Sequence, residues 1–231
     1  GVDYDIWNPA TDPFIRANFD TKDLTGKILC KEDLIAEFGL PHSRVERPLV
    51  GMVTRLDPQK GMDLVLASIP DMVGLDLSLV ILGNGDQRYV EGLSYLKERY
   101  PLNIGFKVAH DERLAHKVIA GSDMILVPSL FEPCGLIQMY GLRYGTIPIG
   151  RATGGLKDTI SPFSYTNPHG NGILFEPFDT NGLMWAIREA LRYYEDKEMW
   201  RRLILNGLGS DFSWERSARE YLELYLRLAR V

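Results

Sequence analysis

The chain has 231 residues, of which 45% are hydrophobic and 25% are charged, a composition typical of soluble globular proteins with a substantial core. Its formal net charge of −5 argues against nucleic-acid binding, because nucleic acids are bound through basic surfaces. Its two cysteines do not form a disulfide framework and favour a reducing, cytoplasmic setting, and no apolar run approaches the roughly 20 residues of a membrane span.

The first 47 residues are irregular in pattern. They lack an initiator Met and the basic-then-apolar order of a signal peptide, which fits a fragment or a processed chain. One short helix is predicted at 31–38, where Gly39 and Pro41 would end it.

From residue 48 onward, short apolar runs alternate with segments of helical spacing. The runs predict strands at 49–54, 77–82, 104–108, 124–127, 146–149 and 172–175. The helical segments are 60–73, 86–100, 111–120, 135–144, 180–195, 197–208 and 213–229. Because continuously apolar strands between helices are typical of a parallel sheet covered on both faces, the sequence predicts a Rossmann-like, doubly wound α/β fold. In such sheets, ligands bind at the carboxyl ends of the strands.

Two cations follow the first predicted strand. Arg55 and Lys60 lie five positions apart across a turn that contains Pro58. A planar guanidinium and a compact ammonium at a strand end suit a diphosphate. An arbitrary pair of this kind is more often an exposed surface pair. The position at a strand end, together with the segment after the fourth strand, favours phosphate binding.

The segment after the fourth predicted strand combines a carboxylate with a helix start. Glu132 is followed by Pro133 and Gly135, and a helix beginning there would present the N–H groups of Gly135, Leu136 and Ile137. Exposed N–H groups at a helix start bind phosphate. The neighbouring carboxylate suits sugar hydroxyls, although it could instead only complement the helix dipole.

Three other strand ends carry weaker signals. Glycines in 83–85 permit close backbone approach, but Arg88 stands where a dinucleotide fingerprint would have its third glycine, which disfavours a nicotinamide-dependent dehydrogenase. His110 could stack on a base or contact a phosphate, or it could be structural. The pair Gly154-Gly155 could present backbone donors to an anion or form a flexible loop.

Four segments share one resemblance. They read Arg-Leu-Asp-Pro-Gln-Lys-Gly at 55–61, Leu-Gly-Asn-Gly-Asp at 82–86, Ser-Leu-Phe-Glu-Pro-Cys-Gly-Leu-Ile-Gln at 129–138, and Arg-Tyr-Gly-Thr-Ile-Pro-Ile with Thr-Gly-Gly-Leu-Lys-Asp-Thr within 143–159. Together they resemble the carboxy-terminal half of bacterial-type glycogen synthases and plant starch synthases. The resemblance implies a two-domain glycosyltransferase fold in which residues 1–231 form the carboxy-terminal nucleotide-sugar-binding domain. The closing helix, 213–231, is then expected to pack toward the absent first domain.

The same resemblance implies retaining transfer of glucose from ADP-glucose, or UDP-glucose, to the non-reducing end of an α-1,4-glucan, with no metal and no cofactor. Arg55 and Lys60 would hold the donor diphosphate and stabilise the leaving nucleotide, and Glu132 would bind the donor glucose. These three are the expected catalytic residues. The amides of 135–137 would contact the phosphate. His110 stands where relatives place an aromatic that stacks on the base, which leaves the base preference open.

The expected partners are the nucleotide sugar, the α-glucan and the absent amino-terminal domain, and the isolated domain is expected to be nearly inactive. Related superfamily members often have a second Glu eight positions after the first, where this chain has Tyr140, so the ribose contact must differ. Two alternatives stay open. One is another retaining UDP-sugar glycosyltransferase, and the other is a nucleotide-binding module that has no catalysis of its own when isolated.

Overall fold

Six strands form the sheet in the computed structural model, which describes residues 1–229. Their bounds are Leu49–Leu56 for β1, Ser78–Gly85 for β2, Ile104–Val108 for β3, Met124–Val127 for β4, Ile147–Arg151 for β5 and Ile173–Phe175 for β6. The strand order is β3-β2-β1-β4-β5-β6, and each neighbouring pair is parallel. The predicted doubly wound α/β fold is therefore confirmed, with a strand at each predicted position.

Helices precede, connect and follow these strands. They are α1 Thr25–Glu37, α2 Met62–Gly74, α3 Gln87–Arg99, α4 Glu112–Gly121, α5 Ile137–Arg143, α6 Gly154–Thr159, α7 Thr180–Glu195, α8 Lys197–Leu208 and α9 Trp214–Leu228. The sequence did not predict α6, and α1 begins six residues before its predicted start at Lys31. Residues 230 and 231 of the expected closing helix lie outside the described part. Within residues 1–229, no helix combines the length and the apolar character needed to cross a membrane.

The strands are continuously apolar because helices cover both faces of the sheet. On one face, Val50 and Met52 of β1 belong to the larger core cluster, which also takes side chains from α2, α3, α7 and α8. On the other face, Leu49 of β1 and Val80 of β2 join a second cluster with α1 and α4. Burial on both sides explains why these strands lack the polar and apolar alternation of a half-exposed sheet.

The strand order fixes where a ligand can bind. The chain builds outward from β1 through β2 to β3, and then returns to place β4 on the other side of β1. In open parallel sheets, the crevice at such a reversal, outside the carboxyl ends of the two strands, is the usual ligand site. Here the reversal lies between β1, which contains Arg55 near its carboxyl end, and β4, which leads toward Glu132.

Candidate functional site

The turn after β1 lies directly against the end of β4. The Asp57 side chain accepts a hydrogen bond from the Lys60 backbone N–H at 2.9 Å and caps a short 3-10 turn, 58–60. Gly61 follows with a φ of 75°, in the left-handed region that favours glycine. A Cβ atom at Gly61 would lie 2.3 Å from the carbonyl oxygen of Pro128. This close approach brings the cation-bearing turn beside the loop that carries Glu132.

The two predicted charges meet at this point. Lys60 Nζ lies 2.6 Å from Glu132 Oε2, and the Ser129 hydroxyl donates to the same oxygen at 3.0 Å. The Lys60 side chain is 20% exposed and that of Glu132 9%, so the pair is well shielded from water. Because both hydrogen bonds use Oε2, the other carboxylate oxygen, Oε1, is left to accept from a ligand.

Arg55 is held more loosely. Its side chain is 67% exposed, with a guanidinium nitrogen 3.2 Å from Asp57 Oδ2 and another 3.3 Å from Gln59 Oε1. Exposed ion pairs of this kind contribute little to stability, so the guanidinium is free to turn toward an incoming anion. The Gln59 side chain also donates to the Phe131 carbonyl oxygen at 3.2 Å, which links the β1 turn to the loop after β4.

Most of the predicted site residues line one cavity. Arg55, Lys60, Glu132 and residues 135–137 all border a cavity of about 380 Å³ at the carboxyl ends of β1 and β4. His110 borders an adjoining cavity of about 380 Å³ instead. Arg55, Ile137 and Tyr140 line both cavities, so the two form neighbouring parts of one groove along this edge.

The helix after Glu132 begins later than predicted. Gly135 has a φ of 73°, which is incompatible with a right-handed helix, so Leu136 is the N-cap and α5 starts at Ile137. The prediction that Gly135 opens the helix is therefore wrong. Gln138 explains the local geometry, because its side-chain amide donates to the carbonyl oxygens of Cys134 at 3.1 Å and Gly135 at 2.9 Å. The sequence reasoning did not single out this glutamine.

The glycine pair after β5 packs against the loop that carries Glu132. The Gly155 N–H donates to the Glu132 carbonyl oxygen at 2.9 Å, so it serves the loop backbone rather than an anion. A Cβ atom at Gly154 would lie 2.2 Å from that oxygen. Arg151, another residue that the sequence reasoning missed, donates through Nε to the Ser129 carbonyl oxygen at 2.9 Å and through a terminal nitrogen to the Leu130 carbonyl oxygen.

An aromatic stack closes the groove beside Tyr140. The Trp7 ring stacks on Tyr140 at 3.8 Å between centroids and on His116 at 3.7 Å. His116 Nδ1 lies 2.7 Å from Asp12 Oδ2, which also accepts a hydrogen bond from the Tyr144 hydroxyl at 2.6 Å. Burial alone would raise the pKa of Asp12, but the hydrogen bonds with His116 and Tyr144 lower it below its ordinary value. The irregular first segment thus forms one wall of the groove.

Residues 39–206, more than half of the chain, match the family model described as Glycosyl transferases group 1. The chain belongs to this glycosyltransferase family.

Several glycogen synthases are similar to this glycosyltransferase chain. That of Anaeromyxobacter dehalogenans is 45% identical over 99% of the chain, and that of Thermotoga maritima is 42% identical over all of it. The chain spans 48% of the length of each. The solved catalytic domain of Starch Synthase IV from Arabidopsis thaliana, bound to ADP and acarbose, is 39% identical and covers 98% of this chain and 48% of that one, with a TM-score of 0.89. These similarities confirm the resemblance drawn from the four sequence segments.

Proposed function

We propose that the chain is the donor-binding half of a glycogen synthase, which transfers glucose with retention from ADP-glucose or UDP-glucose to the non-reducing end of an α-1,4-glucan. One observation carries this proposal: the 2.6 Å contact of Lys60 with Glu132, in the cavity that Arg55 also lines. Cations for a diphosphate and a carboxylate for sugar hydroxyls thus lie side by side. The names of the similar synthases and the ADP in the starch synthase structure support the choice of donor and acceptor.

In this proposal, the donor diphosphate lies over Lys60 and Arg55. As the bond between the anomeric carbon and the phosphate oxygen breaks, its electron pair moves to the departing diphosphate, where the two cations stabilise the growing negative charge. Hydrogen bonds to charged groups contribute about 1.5–3 kcal/mol each. Lys60 would share its ammonium between Glu132 and a phosphate, while Oε1 of Glu132 accepts from a glucose hydroxyl.

Retention follows if the acceptor approaches on the face that the diphosphate leaves. The departing phosphate oxygen would then take the proton of the acceptor hydroxyl while the new bond to the anomeric carbon forms. We propose that the glucan and the remaining groups are bound by an amino-terminal half of a longer enzyme, and that α9 packs against that half. No side chain of α9 is buried over its range 214–228, and Tyr221 and Tyr225 are each 61% exposed. The cytoplasmic setting stays a prediction.

Calorimetric titration of the chain with ADP, UDP and NAD tests the donor class. We expect a nucleoside diphosphate to bind more tightly than NAD, and the tighter of ADP and UDP then identifies the base preference that His110 leaves open. Lys60→Met is expected to weaken diphosphate binding by about tenfold or more, because one charge-assisted contact is lost. Lys157→Met, at an exposed position on α6, is the matched control and should bind normally. Tighter binding of NAD would overturn the proposal.

Turnover tests the role of Glu132. In a full-length enzyme that contains this chain, Glu132→Ala should reduce kcat far more than it weakens diphosphate binding, because the carboxylate contacts the sugar rather than the phosphates. Glu176→Ala, which removes an exposed carboxylate after β6, should leave kcat unchanged. The chain alone should transfer almost no glucose. A full-length Glu132→Ala enzyme with normal turnover would remove this residue from the site.

A further inference from the structure

A second cleft opens at the opposite edge of the sheet. It has a volume of about 520 Å³ and reaches Gly121, the last residue of α4, and Asp123, which directly precedes β4, whereas the candidate donor site follows the carboxyl end of that strand. One wall is a face of α1 and the residue before it, and the other is a face of α8. The lining positions repeat at intervals of three and four, as one side of a helix requires: Leu24, Lys27, Ile28, Lys31 on the first wall and Lys197, Trp200, Arg201, Ile204 on the second.

The cleft is positively charged although the chain as a whole is negative. Its basic side chains outnumber the acidic ones: Lys22, Lys27, Lys31, Lys197 and Arg201 against Asp23, Glu46 and Asp123. Lys31 and Asp123 pair with each other at 2.7 Å, which removes one charge of each sign. The remaining lining still has more cations than carboxylates, with Lys22, Lys27, Lys197 and Arg201 against Asp23 and Glu46.

A buried cation adds to this charge at the bottom of the cleft. The Lys27 ammonium donates to the carbonyl oxygens of Ala120 at 3.0 Å, Ser122 at 3.1 Å and Tyr144 at 3.1 Å. It also donates to the Thr146 hydroxyl at 2.7 Å. All four partners are neutral, and the Asp123 carboxylate that also acts on Lys27 is itself paired with Lys31, so the charge of Lys27 is hydrogen-bonded but has no carboxylate partner of its own. In a shielded environment, such a charge attracts an anion more strongly than an exposed lysine does.

The rest of the lining is apolar and aromatic. Ile28 is 57% exposed and adds an open apolar surface to the wall of the cleft. Tyr194 and Trp200 meet edge to face with their ring centroids 5.2 Å apart. Lys197 Nζ lies 4.6 Å from the Tyr194 ring centroid. A molecule that combines an anionic group with a ring would match both parts of this lining.

We propose that the cleft between α1 and α8 binds an organic phosphate monoester, with its phosphate on Lys197 and Arg201 and its ring on Ile28 and Trp200. The charge complementarity selects an anion, and the mixed lining selects one with an apolar body over inorganic phosphate. The site is separate from the donor site in both position and residues. Lys27 bonds Ser122 and Thr146, which lie just before β4 and β5, so the cleft adjoins the segments that enter these two strands.

Phenyl phosphate is the probe, because it carries only the two chemical features that the proposal requires. In the nitrogen-15-labelled chain, we expect saturable shifts in the amide signals of α1 and α8, and little change at 135–137. Inorganic phosphate alone and phenol alone should each bind about tenfold more weakly, because each lacks one half of the contact.

Two neighbouring arginines provide the matched variants. Arg201→Gln removes a cation that lines the cleft and should weaken phenyl phosphate binding by about tenfold. Arg202→Gln should leave the affinity unchanged, because Arg202 pairs with Glu198 along α8 and does not line the cleft. Both positions are exposed, so neither substitution threatens folding.

Several results would overturn the proposal. They are shifts that never saturate, shifts confined to the carboxyl edge of the sheet, and equal weakening by Arg201→Gln and Arg202→Gln. Saturable binding of an acidic peptide in place of phenyl phosphate would assign the cleft to a protein segment instead. An ADP titration of the same sample separates this test from the donor-site test. If the chain binds phenyl phosphate saturably but does not bind ADP, only the proposed function is contradicted.

Discussion

Replacing Lys27 with Met tests how a buried cation organises the amino edge of the sheet. The Lys27 side chain reaches under α1 and bonds the carbonyl oxygens of Ala120, Ser122 and Tyr144. These oxygens lie at or just after the ends of α4 and α5, where helix carbonyls have no partner within their own helix. Met has a similar length but no donor, so the substitution leaves these oxygens without the ammonium.

Two opposing effects set the size of the change. Each buried carbonyl that loses its partner costs about 1–3 kcal/mol. Against this, burial lowers the pKa of Lys27 from 10.5 to about 8, so keeping it charged near neutral pH costs roughly 3 kcal/mol that Met would not incur. With three carbonyl oxygens affected, Lys27→Met is therefore expected to lower the free energy of unfolding by roughly 3 kcal/mol at pH 7, and by no more than about 6 kcal/mol.

The pH dependence gives the sharper test. Between the folded-state pKa of about 8 and the ordinary value of 10.5, the unfolded chain binds more protons at Lys27 than the folded chain does. The contribution of Lys27 to the free energy of unfolding therefore rises with pH in that window. The free energy of unfolding of the wild type should gain about 2 kcal/mol over that of Lys27→Met between pH 7 and pH 9.5.

Urea unfolding of both proteins at the two pH values measures this difference. Lys22→Met, which removes an exposed lysine of the same cleft, is the control and should change stability by less than about 0.5 kcal/mol at either pH. A difference between wild type and Lys27→Met that stays constant or shrinks as the pH rises would refute the reasoning.

Two further predictions concern the turn after β1 and the wall of the groove. Gly61→Ala should destabilise the chain by about 2 kcal/mol or more and weaken ADP binding, because the left-handed φ and the 2.3 Å approach to the Pro128 oxygen both oppose a Cβ atom. Gly74→Ala, which meets nothing within 4 Å, is the control in the same urea and ADP titrations. Asp12→Asn should destabilise by about 2–3 kcal/mol, because the buried Tyr144 hydroxyl loses a charged acceptor. The pKa of Asp12 lies below 3.8 in the folded chain, so its stabilisation is full above that pH. In thermal unfolding, the stability advantage of the wild type over Asp12→Asn should shrink as the pH falls below that value. A stability difference between the two proteins that does not depend on pH would contradict this prediction.

The strands were predictable because a strand that is buried on both faces is apolar at successive positions, and this pattern is visible in the sequence. A run such as 124–127 is apolar at each position, and the structure places β4 at the same residues. The start of α1 was not predictable in this way. Lys27 and Lys31 are typical of a solvent-exposed segment, yet both are buried here. Their partners, such as Ser122 and Asp123, lie more than 90 positions further along the chain, so no local pattern reports them.

The residues of the candidate site also divide into those that a local sequence pattern indicates and those that it does not. That Arg55, Lys60 and Glu132 lie at one cavity could be expected, because the ends of parallel strands share one edge of the sheet. Arg151 and Gln138 were missed because they bond loop carbonyls, a role that many residue types at many positions can fill. The predicted start of α5 at Gly135 was wrong for a related reason. The left-handed conformation of one glycine is fixed by the packing of the loop around it, and its spacing from the proline does not reveal it.

A crystal structure of the chain with ADP tests the central claim most directly. We expect the diphosphate in the crevice between the ends of β1 and β4, with a phosphate oxygen within hydrogen-bonding distance of Lys60 Nζ and the Arg55 guanidinium turned toward it from Asp57. Diphosphate density elsewhere, such as in the cleft between α1 and α8, with Lys60 still bound only to Glu132, would contradict the assignment of this edge as the donor site.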